Sequence, residues 1–254
     1  MNKYLLNSTT FLILVKTDSM DRLENILGLT NFIIKSIETQ IFVFECALFN
    51  NGLLERLLDK SIQYTFIEDS DPILHRTYYI NKMVKTATTP FIAVWDADII
   101  ISPLQVKIAS EWLQSGEADI VYPYDRFALD TTSIIRRLFL ENLSIIILEQ
   151  NFMKMKEINA PNPVGGAFFA NRMKYINSGL ENEDFYGWGM EDGERFFRWK
   201  KLGYKIKRVP GPLYHLSHNR GINSVYQNAD QGLFKRKETI KISRIWELSM
   251  LSDS

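Results

Sequence analysis

FIAVWDAD, residues 91–98, is the stretch that decides the fold. The apolar run Phe91–Trp95 has the length and composition of a buried β-strand. Asp96 and Asp98 follow it directly, so both carboxylates are expected to leave the strand at the edge of a sheet. Their mutual repulsion favours a hard divalent cation, which can also bridge to phosphates. Paired aspartates are common in turns as well, so this motif needs support from the rest of the chain.

Strand-like and helix-like segments alternate around this motif through the first half of the chain. Apolar runs predict strands at Phe11–Lys16, Ile41–Leu48, Tyr64–Glu68, Phe91–Trp95 and Ala118–Tyr122. Helical spacing and cap residues predict helices at Arg22–Ser36, Leu53–Leu58, Ile73–Thr86 and Pro103–Gln114. This alternation predicts an α/β fold with a mostly parallel central sheet flanked by helices. Ligands of such sheets bind at the carboxyl ends of the strands, where the loop after Lys16 and the Asp96–Asp98 corner are expected to meet.

The alternation ends near Asp125, and two helical segments follow in the second half. Thr132–Gln150 reads as a helix within an inserted segment that extends to about Asn159. Leu233–Leu251 reads as a basic helix, with Gly232 before it. A solvated helix face explains these basic residues, and contact with an anionic membrane surface is the alternative.

Composition restricts the class of protein. The 254 residues contain no linker or repeat, which predicts a single domain over 1–254. Lys+Arg and Asp+Glu both number 30, which argues against a nucleic-acid partner. Cys46, the only cysteine, is expected to be buried and to fit a reducing compartment. No apolar run can cross a bilayer, so the sequence predicts a cytoplasmic protein, with peripheral contact at the inner membrane face as the alternative.

Two of the three histidines, His215 and His218, lie three positions apart in the last fifth of the chain. His215 and His218 follow Pro210-Gly211-Pro212, which prevents a regular helix at that point. In a turn or an extended segment, the two imidazoles can face one metal ion. Together with Asp98 they form an oxygen and nitrogen ligand set that suits Mn²⁺ better than Mg²⁺.

YGWGMEDGE, residues 186–194, supplies a third group of candidate residues. Gly187 and Gly189 flank Trp188, so the segment is expected to form a flexible loop whose indole can stack on a sugar ring. Glu191 then begins a predicted helix that ends at Gly203, with Phe196, Trp199 and Leu202 on its buried face. Asp192 near the helix N-terminus is a candidate general base, although acidic residues there also simply complement the helix dipole.

These motifs resemble the β-1,4-galactosyltransferase family and its bacterial relatives, which include the galactosaminyltransferase half of chondroitin-type polymerases. The likeness spans about Phe11–Arg220 and is most specific in Asn162–His218. It implies a GT-A fold, a Rossmann-like nucleotide-diphospho-sugar transferase architecture. It also implies a UDP-sugar donor, Mn²⁺ as cofactor and inversion at the anomeric centre.

The resemblance assigns metal ligands and a catalytic pair to this chain. Asp98, His215 and His218 match the metal ligands, although His215 stands where the family has Met. Asp192 matches the catalytic base. Glu191 matches the residue that holds the donor or acceptor sugar.

The resemblance also assigns substrate-binding residues. Asp96 matches a nucleotide contact, Arg76 matches the arginine of the loop and helix before D-x-D, and Trp188 matches the residue that stacks on the acceptor. Gly165 and Gly166 match the glycine pair that lets the backbone approach the donor. Thr17, Asp18 and Arg22 resemble the uridine and ribose pocket.

The sequence thus predicts an inverting, Mn²⁺-dependent transferase that moves a hexose or N-acetylhexosamine, Gal or GalNAc first, onto a glycan or lipid-linked glycan. Residues 1–124 are expected to bind nucleotide, residues 125–220 to hold acceptor and metal, and residues 221–254 to form the basic helix. A polymerising or retaining glycosyltransferase is a close alternative, which the stereochemistry of the product would separate, and two further functions stay open. One is a sugar nucleotidyltransferase, which the absence of glycine in Phe11–Asp21 disfavours. The other is a non-catalytic module that binds carbohydrate or UDP-sugar.

Overall fold

A computed structural model describes residues 3–158 and 162–219, together with Gly221, Asn223, Lys237 and Lys241. The basic helix predicted at Leu233–Leu251 lies outside the described residues, apart from two of these positions.

Strands and helices alternate in the first half, as the sequence predicts. The strands are β1 Tyr4–Val15, β2 Ile37–Ala47, β3 Gln63–Glu68, β4 Phe91–Asp96, β5 Ile99–Ile100, β6 Ile120–Tyr122, β7 Ala128–Asp130, β8 Lys156–Glu157, β9 Ala167–Asn171, β10 Ile206–Arg208 and β11 Leu213–His215. The helices are α1 Met20–Ser36, α2 Leu53–Leu57, α3 Arg76–Thr86, α4 Pro103–Gln114, α5 Ser133–Asn142, α6 Ile145–Gln150, α7 Arg172–Asn177 and α8 Glu191–Lys201.

Seven strands form the central sheet, in the order β10–β6–β9–β4–β1–β2–β3. Neighbouring strands pair in parallel except at β9, which is antiparallel to both β4 and β6. The prediction of a mostly parallel sheet is therefore confirmed, with one reversed strand inside it. Because β1 and β4 are parallel and paired Leu14 to Asp96, their carboxyl ends reach the same edge.

An aromatic cluster packs the middle of this sheet. Phe11 of β1, Trp95 of β4 and Phe169 of β9 lie with ring centroids 5.1 to 5.8 Å apart, at angles typical of favourable aromatic pairs. All three side chains are buried. The apolar side chains before the Asp-Ala-Asp corner thus anchor that corner to the two neighbouring strands, β1 and β9.

The structure corrects two helix predictions. The segment predicted as one helix at Thr132–Gln150 is two helices, because Leu143 turns the chain with a φ of 48°. Leu202 was expected on the buried face of α8 but is 49% exposed. That face contains the predicted Trp199 together with the charged residues Glu191, Glu194 and Arg195. Arg195 pairs with Glu181, and Glu194 pairs with Arg198.

In the part of the chain that the structure describes, every helix is too short or too polar to cross a lipid bilayer.

Candidate active site

A second sheet, of order β5–β11–β7–β8, positions the candidate metal ligands. Its register places His215 of β11 opposite Ile99, next to Asp98, and also beside Asp130 of β7. Backbone hydrogen bonds hold β11 to both neighbouring segments. The amide of Leu216 donates to the carbonyl of Asp98 at 2.8 Å, and the amide of Thr131 donates to the carbonyl of His215 at 3.0 Å. Strand pairing therefore brings Asp98 and His215 together from positions far apart in sequence.

Asp98, His215 and His218 form a group that can hold one metal ion. The Oδ2 atom of Asp98 lies 3.6 Å from Nε2 of His215 and 3.1 Å from Nε2 of His218. One ligand atom from each residue lies within 4.8 Å of the other two. A carboxylate oxygen and two imidazole nitrogens suit Mn²⁺, so these residues fit the cofactor that the sequence predicts.

The close contact between Asp98 and the histidines lowers the pKa of Asp98 and raises that of His215. Burial raises the pKa of Asp98, but the charge of His215 and hydrogen bonds from both histidines outweigh it, so the net shift is downward. Burial lowers the pKa of His215, but Asp98 and Asp130 outweigh it and raise the pKa to about 10. Because an imidazole binds a metal only through an unprotonated nitrogen, binding of a cation by this group would release a proton from His215.

Asp130 is a candidate site residue that the sequence analysis misses. Its Oδ1 atom lies 2.7 Å from Nδ1 of His215, on the side of the ring opposite the one facing Asp98. Carboxylates in this position fix the ring orientation of metal-binding histidines. Only the pairing of β11 with β7 brings Asp130 to His215, and no local motif around residue 130 indicates it.

Arg76 and Asp96 form an ion pair at the carboxyl edge of the sheet. The Nη2 atom of Arg76, at the start of α3, lies 2.5 Å from Oδ1 of Asp96 at the end of β4. Burial raises the pKa of Asp96, and the nearby carboxylates of Asp98 and Asp192 add to this rise, against the lowering by Arg76. Nη1 of Arg76 is buried and has no hydrogen-bond partner among the described residues, so it can still donate to a bound anion.

Asp192 lies in the first turn of α8. Its Oδ1 atom accepts a hydrogen bond from Nη2 of Arg195 at 2.5 Å. Its Oδ2 atom fills the space beside Gly165, where a Cβ would clash with it. The glycine at 165 therefore makes room for the carboxylate of Asp192, a different reason from the donor approach that the resemblance implies.

The loop before α8 requires its glycines. Gly187 and Gly189 have φ values of 74° and 107°, which few other residues adopt. Trp188 between them is 42% exposed, whereas Glu191 is buried. Gly166 also has a positive φ, of 86°, and its carbonyl accepts a hydrogen bond from the amide of Asp96 at 2.9 Å.

The residues after β1 make contacts of their own. Thr17 donates a hydrogen bond to buried Glu45, and Asp18 pairs with Arg22 at 3.2 Å. Their assignment to a uridine and ribose pocket stays a prediction. Asn25 of α1, which the sequence analysis also misses, donates to the carbonyl of Leu216 at 2.9 Å and so supports the segment between the two histidines.

One cavity of about 600 Å³ joins these groups. All of the predicted site residues except Thr17 and Asp18 line it. The metal group, the Arg76–Asp96 pair and the carboxylate of Asp192 therefore face one volume, which has the size of a small-molecule site.

Comparisons with known proteins agree with this arrangement. A family model described as the N-terminal domain of galactosyltransferase matches residues 154–219, which include the glycine pair, Asp192 and both histidines. A comparison with curated proteins gives no sequence match. The predicted resemblance to galactosyltransferases is confirmed, and the match supports the assignment of the chain as a glycosyltransferase.

The fold of this chain is also similar to that of several solved structures. The catalytic domain of Drosophila β1,4-galactosyltransferase 7, in complex with xylobiose, has a TM-score of 0.56 at 16% identity, over 92% of this chain and 80% of that chain. Glucosyl-3-phosphoglycerate synthase from Mycobacterium tuberculosis, with Mn²⁺, UDP and phosphoglyceric acid, has a TM-score of 0.53 at 14% identity, over 94% and 78%. A Pyrobaculum calidifontis mannosyltransferase, in complex with GDP-Man and Mn²⁺, has a TM-score of 0.56 at 15% identity, over 85% of this chain and 58% of that chain.

These likenesses confirm the GT-A fold. Two of the three structures contain Mn²⁺, which is consistent with the predicted cofactor.

Replacement of Asp130 tests its role beside the metal group. Asp130→Ala should weaken Mn²⁺ binding by roughly 10- to 100-fold, because His215 loses the carboxylate that orients its ring. Isothermal titration with Mn²⁺ in the presence of UDP measures the change. Glu157→Ala removes an exposed carboxylate from the same sheet and should leave the affinity unchanged. Equal affinities for Asp130→Ala and the wild type would show that Asp130 has no such role.

Proposed function

We propose that this chain is an inverting, Mn²⁺-dependent glycosyltransferase. It transfers a hexose or N-acetylhexosamine, with Gal and GalNAc as the first candidates, from a UDP-sugar to a glycan hydroxyl. The observation that carries the proposal is the convergence of Asp98, His215 and His218 with Asp192 on one cavity. A metal group beside a separate carboxylate provides both a diphosphate-binding centre and a general base.

The donor diphosphate would bind near the metal group. Asp98, His215 and His218 would hold Mn²⁺, which neutralises the charge that develops on UDP as it leaves. Arg76 supplies a further positive charge at the same edge, and its Nη1 atom can donate to a phosphate oxygen. The solved structures with Mn²⁺ and UDP or GDP-Man support a nucleotide-sugar donor.

Asp192 would remove the proton from the acceptor hydroxyl. As that proton reaches the carboxylate, the hydroxyl oxygen bonds to the anomeric carbon on the face opposite UDP, and the bond to UDP breaks. A single displacement of this kind inverts the anomeric configuration. Oδ2 is the atom that we assign as base, since Oδ1 is held by Arg195.

Trp188 and Glu191 would orient the sugars. The indole of Trp188 lines the cavity and is 42% exposed, so it can stack on the apolar face of an acceptor ring. Glu191, one residue before the base, lines the same cavity and would hold a sugar hydroxyl. Such positioning lowers the entropic part of the barrier.

The two other functions have less support. A sugar nucleotidyltransferase would usually carry a glycine-rich phosphate loop after its first strand, and the segment after β1 contains none. A binding module would not need a metal group and a candidate base on one cavity.

The setting of the reaction belongs to the same proposal. Residues 1–124 would bind the nucleotide and residues 125–220 the acceptor and metal, within a single domain. The acceptor would be a glycan or a lipid-linked glycan, and the reaction would take place in the cytoplasm or at the inner membrane face.

A panel of UDP-sugars tests the activity and identifies the donor. The chain should release UDP slowly from one donor when Mn²⁺ is present and lose this activity with a chelator. His218→Ala should abolish it, because one of three ligands is removed, whereas Asp192→Asn should lower it roughly 10²- to 10⁴-fold and preserve Mn²⁺-dependent UDP binding. Absence of both hydrolysis and Mn²⁺-dependent UDP binding would contradict the proposal and favour a non-catalytic module.

Gly165→Ala tests the position of the base without changing its chemistry. The added methyl group needs the space that Oδ2 of Asp192 occupies, so the carboxylate must move. A displacement of about 1 Å at a reacting group costs on the order of 10²-fold in rate. We expect kcat to fall by about this factor while Mn²⁺-dependent UDP binding stays as in the wild type. A variant with unchanged kcat would show that Oδ2 is not the base.

A further inference from the structure

Arg195 lies beneath the cavity, between two carboxylates. Its side chain is 1% exposed, and it separates Glu181, which is fully buried, from Asp192, which is 30% exposed toward the cavity. The resemblance to galactosyltransferases assigns no role to Arg195 or Glu181. Burial of a charged side chain costs free energy unless the side chain is paired and hydrogen-bonded. The hydrogen bonds of Arg195 therefore show which groups it keeps in place.

The guanidinium of Arg195 is fixed on several sides. Nη1 donates to both oxygens of Glu181, at 2.9 and 3.0 Å. Nη2 donates to Oδ1 of Asp192 at 2.5 Å and to the carbonyl of Val164 at 3.2 Å. The guanidinium also lies over the ring of Phe168, 4.4 Å from its centroid. A group held in this way has one orientation, and it passes that orientation to the carboxylate of Asp192.

Glu181 is itself anchored to other elements. Its carboxylate accepts a hydrogen bond from the hydroxyl of Tyr175 on α7. Its backbone amide donates to Oδ1 of Asn81 on α3 at 2.8 Å, and Nδ2 of Asn81 donates to its carbonyl at 3.0 Å. Asp192 is therefore connected, through Arg195 and Glu181, to helices α7 and α3, which are separate from the loop that carries Trp188.

We infer that Arg195, supported by Glu181, is the positioning residue for the catalytic carboxylate of Asp192, an inference that rests on the proposed function. Arg195 holds Oδ1, and the absence of a side chain at Gly165 leaves room for Oδ2. The carboxylate is thus held so that one defined oxygen is available to the acceptor hydroxyl.

Glu181 gives this arrangement a second property. A guanidinium alone beside Asp192 would stabilise the ionised carboxylate and make it a poorer proton acceptor. Glu181 binds the same guanidinium through both oxygens, so the positive charge is already balanced before Asp192 contacts it. Arg195 can then orient the base at a smaller cost to its ability to accept a proton.

Arg198 provides a matched control on the same helix. It donates to the carboxylate of Glu194 and to the carbonyls of Ser178 and Leu180, so it also joins α8 to the segment after α7. It is not among the residues that line the cavity. If the substitutions lowered kcat only by destabilising the fold, the loss of kcat should therefore be similar for Arg195 and Arg198.

The experiment compares Arg195→Lys with Arg198→Lys. Lysine keeps the charge but cannot bridge Glu181, Val164 and Asp192 together. For Arg195→Lys we expect kcat for sugar transfer to fall at least about tenfold, with the donor KM and the Mn²⁺-dependent UDP affinity within about threefold of wild type. Arg198→Lys should keep kcat within about twofold. Equal kcat losses in the two variants, or no loss in Arg195→Lys, would overturn the positioning role.

A second variant decides the outcome if Arg195→Lys does not fold. Glu181→Gln keeps the contact between Arg195 and Asp192 but removes the balancing charge, and it should lower kcat at least about tenfold while UDP binding persists. Wild-type kcat in Glu181→Gln would overturn the inference. A wild-type chain that neither hydrolyses any UDP-sugar nor binds UDP with Mn²⁺ would instead overturn the proposed function, so the two failures are distinguishable.

Discussion

The pairing of β11 with β5 on one side and β7 on the other is the constraint on which the candidate site depends. It puts His215 between Asp98 and Asp130, so one imidazole faces the metal position with Nε2 and a supporting carboxylate with Nδ1. A shift of β11 by one residue would turn His215 to the opposite face and dissolve the group. Strands of only two or three residues thus fix the positions of the candidate metal ligands.

The two chemical functions of the site rest on separate supports. The metal group depends on the small sheet, whereas Asp192 depends on α8 and on Arg195 beneath it. They meet where the amide of Asp96 donates to the carbonyl of Gly166, which joins the Asp-Ala-Asp corner to the glycine pair. Because the supports are separate, we expect changes near Asp192 to affect proton transfer and to leave nucleotide binding intact.

Much of this arrangement follows from local patterns in the sequence. The run before Asp96, the prolines before His215 and the glycines around Trp188 each require a particular backbone, so strands, site edge and ligands could be predicted. Asp130 and Glu181 could not, because their contacts with His215 and Arg195 span 85 and 14 positions and depend on the folded chain. The spacing of Arg195 three positions after Asp192 is local to the helix, but its burial between two carboxylates is not visible in the sequence. The same limit explains the error at Leu202, since a helix face with buried ion pairs looks solvent-exposed in sequence.

In the proposed function, one Mn²⁺ ion binds His215, His218 and the donor diphosphate at the same time. Pulsed electron paramagnetic resonance of the protein with Mn²⁺ and UDP tests this arrangement, because nitrogen and phosphorus nuclei bound to the ion give separate couplings. We expect coupling to two imidazole nitrogens and to ³¹P in one complex, with one nitrogen lost in His218→Ala. Phosphorus coupling without any imidazole nitrogen would contradict it.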